Sequence, residues 1–144
     1  MLVVVAGLTL VGATIPVDSA PLDPAAAISV ADKAPQAGTA GLFRMTVAAV
    51  GQSRKITFLN SSSDYRSEGN VTFSLSEAAA TYLTSRLGGI APAAIVGRTI
   101  IVAGRIERRP VVNVAATGRS LGFNRWSYSV RVSKPDQFVS ITAS

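Results

Sequence analysis

The stretch from Gly97 to Val114, GRTIIVAGRIERRPVVNV, decides the fold of this chain. It predicts two β-strands joined by a short basic turn. The run from Ile100 to Ala103 is apolar throughout, as in a strand buried on both faces, and Gly104 then predicts a bend or a bulge. The segment Arg108–Pro110 predicts the turn, after which apolar residues resume. A strand that begins buried, bends at a glycine and continues half exposed is typical of a small, strongly curved barrel.

Three strands and a helix precede this stretch. The strands carry alternating or compact apolar residues and are predicted over Leu42–Gln52, Ile56–Asn60 and Val71–Leu75. The helix follows the third strand directly, because Ser76 is a good N-cap and the charge of Glu77 suits the first turn. Gly88 and Gly89 end it.

Two further strands follow the opening stretch. The first has the cleanest alternation in the chain, with Trp126, Tyr128, Val130 and Val132 on one face and Arg125, Ser127, Ser129 and Arg131 on the other. A break at Lys134–Asp136 separates it from a short last strand that starts at Phe138.

The composition narrows the possible functions. The chain has 144 residues, which suits one domain, and its hydrophobic residues (48%) suffice for a core. It contains no Cys and no His, so disulfides, thiolate nucleophiles and the usual general base are excluded. The net charge is +6, and residues 41–144 hold 13 of the 14 basic residues with five of the eight acids. A basic surface of this kind favours anionic partners.

The N-terminal part divides into two segments. Residues 1–20 include the apolar run Leu2–Val11, whose length fits the core of an export signal better than a membrane-spanning helix. The alternatives are an apolar strand or helix of a cytoplasmic protein and an uncleaved anchor. Residues 21–40 are rich in Ala and Pro and predict a linker, with a helical turn near Ile28–Lys33 that Ser29 could cap. Residues 41–144 then form the folded domain.

The order of elements is strand, strand, strand, helix, strand, strand, and a helix between the third and fourth strands of a small barrel is the arrangement of the OB-fold. The segments Thr57–Asn60 (TFLN), Gly97–Ile106 and Pro135–Phe138 (PDQF) resemble motifs of small bacterial OB-fold domains of the nucleic-acid-binding type, over residues 41–142. We therefore expect a mainly β protein, a five- to six-stranded OB-fold-like Greek-key barrel with one helix between strands 3 and 4.

Two departures from that pattern affect the functional interpretation. Ser61 and Ser62 stand where such domains have an aromatic residue and a glycine, so a stacking role of that aromatic is lost. The segment from Val114 to Pro135 is longer than the pattern, and it adds a strand that carries Trp126 and Tyr128. The resemblance implies accessory binding and does not fix the ligand.

The function that we expect is a non-catalytic binding module for an anionic ligand, with single-stranded nucleic acid or another polyanion as the first candidate. OB-folds bind single strands by stacking bases on aromatic rings and seating phosphates on cations. The candidate ligand-binding residues are Tyr65, Arg66, Arg105, Arg108, Arg109, Arg119, Arg125 and Arg131. The alternative is that these arginines are only the solvated side of strands whose other face is core, and that residues 61–69 are a solvated connection.

Other functions are weaker alternatives. One is a structural or protein-interaction domain in the periplasm or at the cell surface, which would use a sheet edge or the Val114–Arg131 hairpin. Another is an enzyme that uses Asp64 or Glu68 with a hard metal, but five acids among 13 bases are better explained as partners of the arginines. We predict no catalytic residue, no metal site and no cofactor. We expect export, with no stable membrane span once the signal is removed.

Overall fold

The computed structural model describes residues 8–10, 13–15, 20–88 and 92–142. The strands are β1 (Leu8–Leu10), β2 (Ala13–Ile15), β3 (Thr39–Thr46), β4 (Ala49–Ser53), β5 (Ile56–Asn60), β6 (Val71–Leu75), β7 (Thr99–Val114), β8 (Ser120–Val132) and β9 (Phe138–Thr142). The α-helices are α1 (Pro24–Lys33) and α2 (Glu77–Arg86), and short 3₁₀ helices span Pro92–Ile95 and Pro135–Gln137.

Seven of these strands form one curled sheet. Its order is β3-β7-β8-β6-β5-β4, with β9 paired to β7, and every pair is antiparallel except β6 with β8. The two ends of this order, β3 and β4, are separated in the chain only by Val47 and Ala48. The Val47 amide donates to the carbonyl of Arg98 (2.9 Å), and the Ala48 amide donates to the carbonyl of Asn60 (2.8 Å). The sheet therefore curls until its ends meet at this bend, and the expected mainly β, OB-fold-like architecture is confirmed.

The bend changes the strand count. The first predicted strand, Leu42–Gln52, is two strands, β3 and β4, because the chain turns from pairing with β7 to pairing with β5. As a result α2, expected between strands 3 and 4, lies between the fourth and fifth strands of the sheet. Its position after β6 is as predicted, and the Ser76 Oγ accepts a hydrogen bond from the Ala79 amide (3.2 Å), which confirms the cap.

The predicted turn at Arg108–Pro110 is wrong, because β7 runs through it without a break. Arg109 pairs with Ser127 and Pro110 with Trp126 in the antiparallel ladder to β8. On its other side β7 pairs with β3 only as far as Ile106, and no described strand continues along that edge. Pro110 is tolerated because it has a strand partner on one side only, so the N–H that proline lacks is not needed for pairing with a second strand.

The core lies inside the curl. Strand β6 places Val71, Phe73 and Leu75 in it, with Thr72 and Ser74 outward, as the alternation predicts. The largest fully buried side chains include Phe43, Met45, Leu59, Leu83, Ile95, Ile100, Ile106, Val47 and Val102. Because consecutive side chains of a strand point to opposite faces, every residue between two core residues is available on the outer surface.

The predicted linker over residues 21–40 is wrong as well. Half of it forms α1, which the Asp23 side chain, not Ser29, caps by accepting from the Ala26 amide (2.9 Å). Ala27 and Ala31 are fully buried against the core. They lie one turn apart on one helix face, and their small size allows the helix backbone to approach closely. The alanine and proline content that suggested a linker is that of a tightly packed helix.

The predicted export signal, residues 1–20, lies mostly outside the described residues. Leu8–Leu10 and Ala13–Ile15 are described, and they pair as a short antiparallel hairpin. Within the described part of the chain, no helix is both long enough and apolar enough to cross a bilayer.

Candidate functional site

A groove of about 500 Å³ runs across the outer face of the sheet, over β4, β5, β6 and β8, beneath the loop that joins β5 to β6. Its lining includes four aromatic residues, Phe58, Tyr65, Trp126 and Tyr128, and one cation, Arg125. Most of the remaining lining is hydroxyl and amide groups, and no Asp or Glu belongs to it. An anion that enters this groove therefore meets hydrogen-bond donors and a positive charge without a carboxylate to repel it.

The strand register explains why these polar residues meet. Asn60 pairs with Thr72, and Thr72 pairs with Ser129, while their neighbours in the same strands, such as Phe73 and Val130, are buried. One register step thus separates an apolar inner row from a polar outer row that crosses three strands. Phe58, half-buried opposite Ser74, stands on the outer side of this surface.

A buried hydrogen-bond network holds the loop above the groove. The Asn60 Oδ1 accepts from the Thr72 hydroxyl (2.7 Å) and from the Asn70 side-chain amide (3.3 Å). The Ser61 Oγ accepts from the Val71 amide (2.8 Å), so Ser61 ties the start of the loop to its end. Asn60 and Asn70 both begin the Asn-x-Ser/Thr glycosylation pattern, but each is 6% exposed and its side chain is engaged in this network.

Tyr65 is the most accessible aromatic ring at the groove, with 56% of its surface exposed. The guanidinium carbon of Arg66 lies 5.6 Å from the ring centre, and that of Arg125 lies 5.7 Å away. Asp64 accepts from the Arg66 amide (2.9 Å) and from its Nε (3.2 Å). The backbone bond, followed by the side-chain bond, lowers the pKa of Asp64. Arg66 is thereby paired, whereas Arg125 makes no ion pair with a described acid.

The other predicted arginines lie in three places: beside the groove, in the turn between β7 and β8, and on the α1 side of the molecule. Arg131 is exposed on the outer row opposite Ser74, and Arg109, opposite Ser127, is paired with Glu107 (3.2 Å). These two lie beside the groove. Arg119 is exposed in the turn between β7 and β8, without an ion-pair partner among the described residues.

Arg105 and Arg108 are directed elsewhere. Arg105 donates to the carbonyls of Ala37 (3.0 Å) and Gly38 (3.2 Å), which fixes the connection between α1 and β3. Arg108 donates to Asp32 (3.3 Å), and its guanidinium carbon lies 3.8 Å from the centre of the Trp126 ring. Both arginines stabilise the α1 side of the molecule and are not part of the groove.

The alternative that one face of the predicted Trp126–Val132 strand is core is confirmed for Tyr128, Val130 and Val132, which are buried. Trp126 is 39% exposed, because β8 at this point has left the barrel and belongs to a projecting hairpin. The sequence analysis did not predict Phe58 as a groove residue. Thr57 and Leu59, its neighbours in the strand, are buried, and consecutive side chains of a strand point to opposite faces, so Phe58 points to the outer face.

Carboxylates are dispersed over the molecule. Among the described residues no three side chains of the His, Cys, Asp or Glu type lie close enough to hold a metal ion together.

Comparison with known proteins identifies no relative. No family model matches the chain, and no curated protein matches it. Among solved structures, that of the OBody AM3L09 bound to hen egg-white lysozyme is similar, with 11% identity and a TM-score of 0.43. The match covers 81% of this chain and 89% of that chain. The fold assignment rests on the strand order and register given above.

Proposed function

We propose that this protein is a non-catalytic module that binds single-stranded nucleic acid in the groove. The observation that carries the proposal is the exposed Tyr65 ring with Arg66 and Arg125 both within 6 Å of its centre (5.6 and 5.7 Å), at the edge of a groove without acidic lining residues. Bases would stack on Tyr65 and Phe58. Phosphates would lie near Arg125, Arg131 and Arg109.

The expected energetics agree with this division of roles. Each base stacked on an aromatic ring contributes about 1–3 kcal/mol and requires no particular sequence. The net charge of +6 adds a sequence-independent attraction through counterion release. Hydroxyl groups along the groove offer further hydrogen bonds to sugar and base edges. The absence of His and Cys from the sequence favours binding over acid–base or thiolate catalysis.

The test is a fluorescence-anisotropy titration of a labelled oligo-dT strand at salt concentrations of about 50 and 200 mM. We expect Tyr65→Ala to weaken binding about tenfold at both concentrations, because one stacked base is lost. We expect Arg125→Gln to weaken binding and to reduce the slope of log affinity against log salt by about 0.7, the value of one phosphate contact.

The matched control is Arg44→Gln, which removes an exposed arginine on β3, outside the groove lining. A general effect of positive charge would make Arg44→Gln as damaging as Arg125→Gln and would contradict the proposal. No binding of the unaltered protein at the lower salt concentration would also contradict it.

The setting that we propose for this activity lies outside the cytoplasm. The support is the apolar run Leu2–Val11 within residues 1–20, which has the length of an export-signal core.

A further inference from the structure

A second cavity of about 500 Å³ is lined by the turn that joins β4 to β5 and by α2. We call it the turn cleft. The turn contributes two exposed cations, Arg54 and Lys55. The helix contributes three hydroxyl-bearing residues whose spacing places them on one face, Thr81, Thr84 and Ser85. The volume of the cleft is in the range of ligand pockets.

Arg54 has an unusual backbone conformation. Its φ is 56°, in the left-handed region, and no other non-glycine residue in the described part of the chain has a positive φ. Glycine adopts this region without strain, whereas a residue with a Cβ does so at a cost. The turn thus holds a cation at a position that favours glycine, and strain of this kind is concentrated at functional sites. Arg54 also makes no ion pair with a described acid.

One acid, Glu77, lines the turn cleft beside these cations. The Lys55 Nζ lies 4.0 Å from the Glu77 Oε2, and both side chains are mostly exposed. An exposed pair at this distance contributes little, so Lys55 stays available to an anion. The lining therefore carries two positive charges and one negative charge, and both positive charges are on the turn.

Gln52 connects the turn cleft to the groove, because it lines both cavities. It lies on β4, and the turn follows two residues later. The groove crosses four strands, a width of about 14 Å at roughly 4.8 Å per strand. A stacked single strand advances about 3.4 Å per nucleotide, so about four nucleotides fill the groove and a longer strand must leave it.

We propose that the turn cleft is a second phosphate-binding site, which holds the part of a single strand that extends past Gln52 out of the groove. This inference rests on the proposed function of the groove and extends its footprint. Arg54 and Lys55 bind two phosphates of the strand, and the hydroxyl groups of α2 offer hydrogen bonds to its sugars and bases. Glu77 opposes the phosphates and limits the affinity of the cleft.

The test is a fluorescence-anisotropy titration of two labelled oligo-dT strands, of about 4 and about 12 nucleotides, lengths that one OB-fold accommodates. We expect the slope of log affinity against log salt to be steeper for the longer strand by about 1.4, because two more phosphates are neutralised. We expect Arg54→Gly to reduce the slope of the longer strand by about 0.7 and to leave the shorter strand unchanged. Glu77→Gln should strengthen binding of the longer strand only.

Arg54→Gly is suited to this test because glycine adopts a φ of 56° without strain, and urea denaturation should show a stability no lower than that of the unaltered protein. The matched control is Arg86→Gln, which removes an exposed cation of α2 outside the cleft lining and should change neither slope.

Three results would overturn the proposal. These are equal slopes for the two strands, equal effects of Arg54→Gly and Arg86→Gln on the longer strand, and an Arg54→Gly effect as large on the shorter strand as on the longer one. Absence of binding by both strands would contradict the proposed function of the groove and this inference with it. A failure of the turn cleft alone is recognised separately, because both strands would then bind with the same salt dependence.

Discussion

Gly104 illustrates a backbone approach that a single methyl group would prevent. A Cβ built on Gly104 would lie 2.7 Å from the Cγ1 of Val130, which is fully buried in β8. The pairing of β3 with β7 passes through Gly104 opposite Gly41 without a shift, so no bulge interrupts that ladder here. The glycine is required for the close packing of β7 against β8 where the two strands begin to diverge.

We expect Gly104→Ala to lower the free energy of unfolding by about 1–3 kcal/mol, because overpacking a filled core forces its neighbours to move. Urea denaturation followed by circular dichroism measures the change. The control is Gly51→Ala, where an added Cβ meets no atom within 4 Å. Equal stability of the two variants would contradict the role given to Gly104.

Gln137 fills the space beside Gly104. Its Nε2 donates to the carbonyls of Ala103 (2.9 Å) and Arg131 (3.0 Å), and its Oε1 accepts from the amides of Ser133 (2.8 Å) and Lys134 (3.0 Å). One buried side chain thus satisfies backbone groups of both diverging strands and of the turn that follows them. This is the structural role of the Pro135–Phe138 motif.

At the scale of elements, α1 and the projecting hairpin stabilise each other through Asp32. The Asp32 Oδ1 accepts from the Tyr128 hydroxyl (2.7 Å) and from Arg108 (3.3 Å). Burial, followed by the hydrogen bond to Asp32, raises the pKa of Tyr128 from its ordinary 10.0 to about 12. Tyr128 therefore stabilises the folded protein only while its hydroxyl is protonated.

The sign of the resulting pH dependence follows from the raised pKa. The contribution of Tyr128 is fully present below pH 10.0 and is lost as the pH rises toward about 12. We expect the free energy of unfolding to fall over this range, and to fall less steeply in Tyr128→Phe, which keeps the ring and lacks the hydroxyl. Urea unfolding at a series of pH values measures both. Identical slopes in the two proteins would show that Tyr128 does not titrate in this way.

At the scale of the whole molecule, the folded domain begins earlier than the boundary at residue 41. Leu22 donates its amide to the Leu42 carbonyl (2.8 Å) and accepts from the Arg44 amide (2.8 Å), and the helix that follows covers the core through Ala27 and Ala31. The groove then occupies the outer face of the sheet, and the hairpin of β7 and β8 projects beyond the barrel.

We expect a chain that begins at Pro21 to unfold cooperatively, and one that begins at Gly41 to be less stable by roughly 3 kcal/mol, since it loses the apolar contacts of Leu22 and α1. Urea denaturation of the two chains checks this, and equal stability would return residues 21–40 to the status of a linker. If export removes residues 1–20, the mature protein is the longer of these chains. The mass of the protein isolated from its own host decides this, because an intact N-terminus would contradict the proposed export.

The sequence by itself determined the elements whose partners are local. Alternation located β5, β6, β8 and β9, and the Ser76 cap located α2, because a strand or a helix end depends on neighbouring residues. The order of these elements was enough to predict an OB-fold-like barrel. Composition restricted the function to classes that need neither His nor Cys.

Only the tertiary structure decided the features that depend on residues distant in the chain. The break of the first strand into β3 and β4 requires the sheet to close, and the unbroken course of β7 through Pro110 requires an edge without a second ladder. The packing of α1 depends on core residues from distant parts of the chain, and the alanines of the helix do not by themselves predict this contact. Likewise, Tyr65 and Arg125 are far apart in sequence, and the Arg125 guanidinium lies 5.7 Å from the Tyr65 ring centre only because the fold brings the β5–β6 loop over β8.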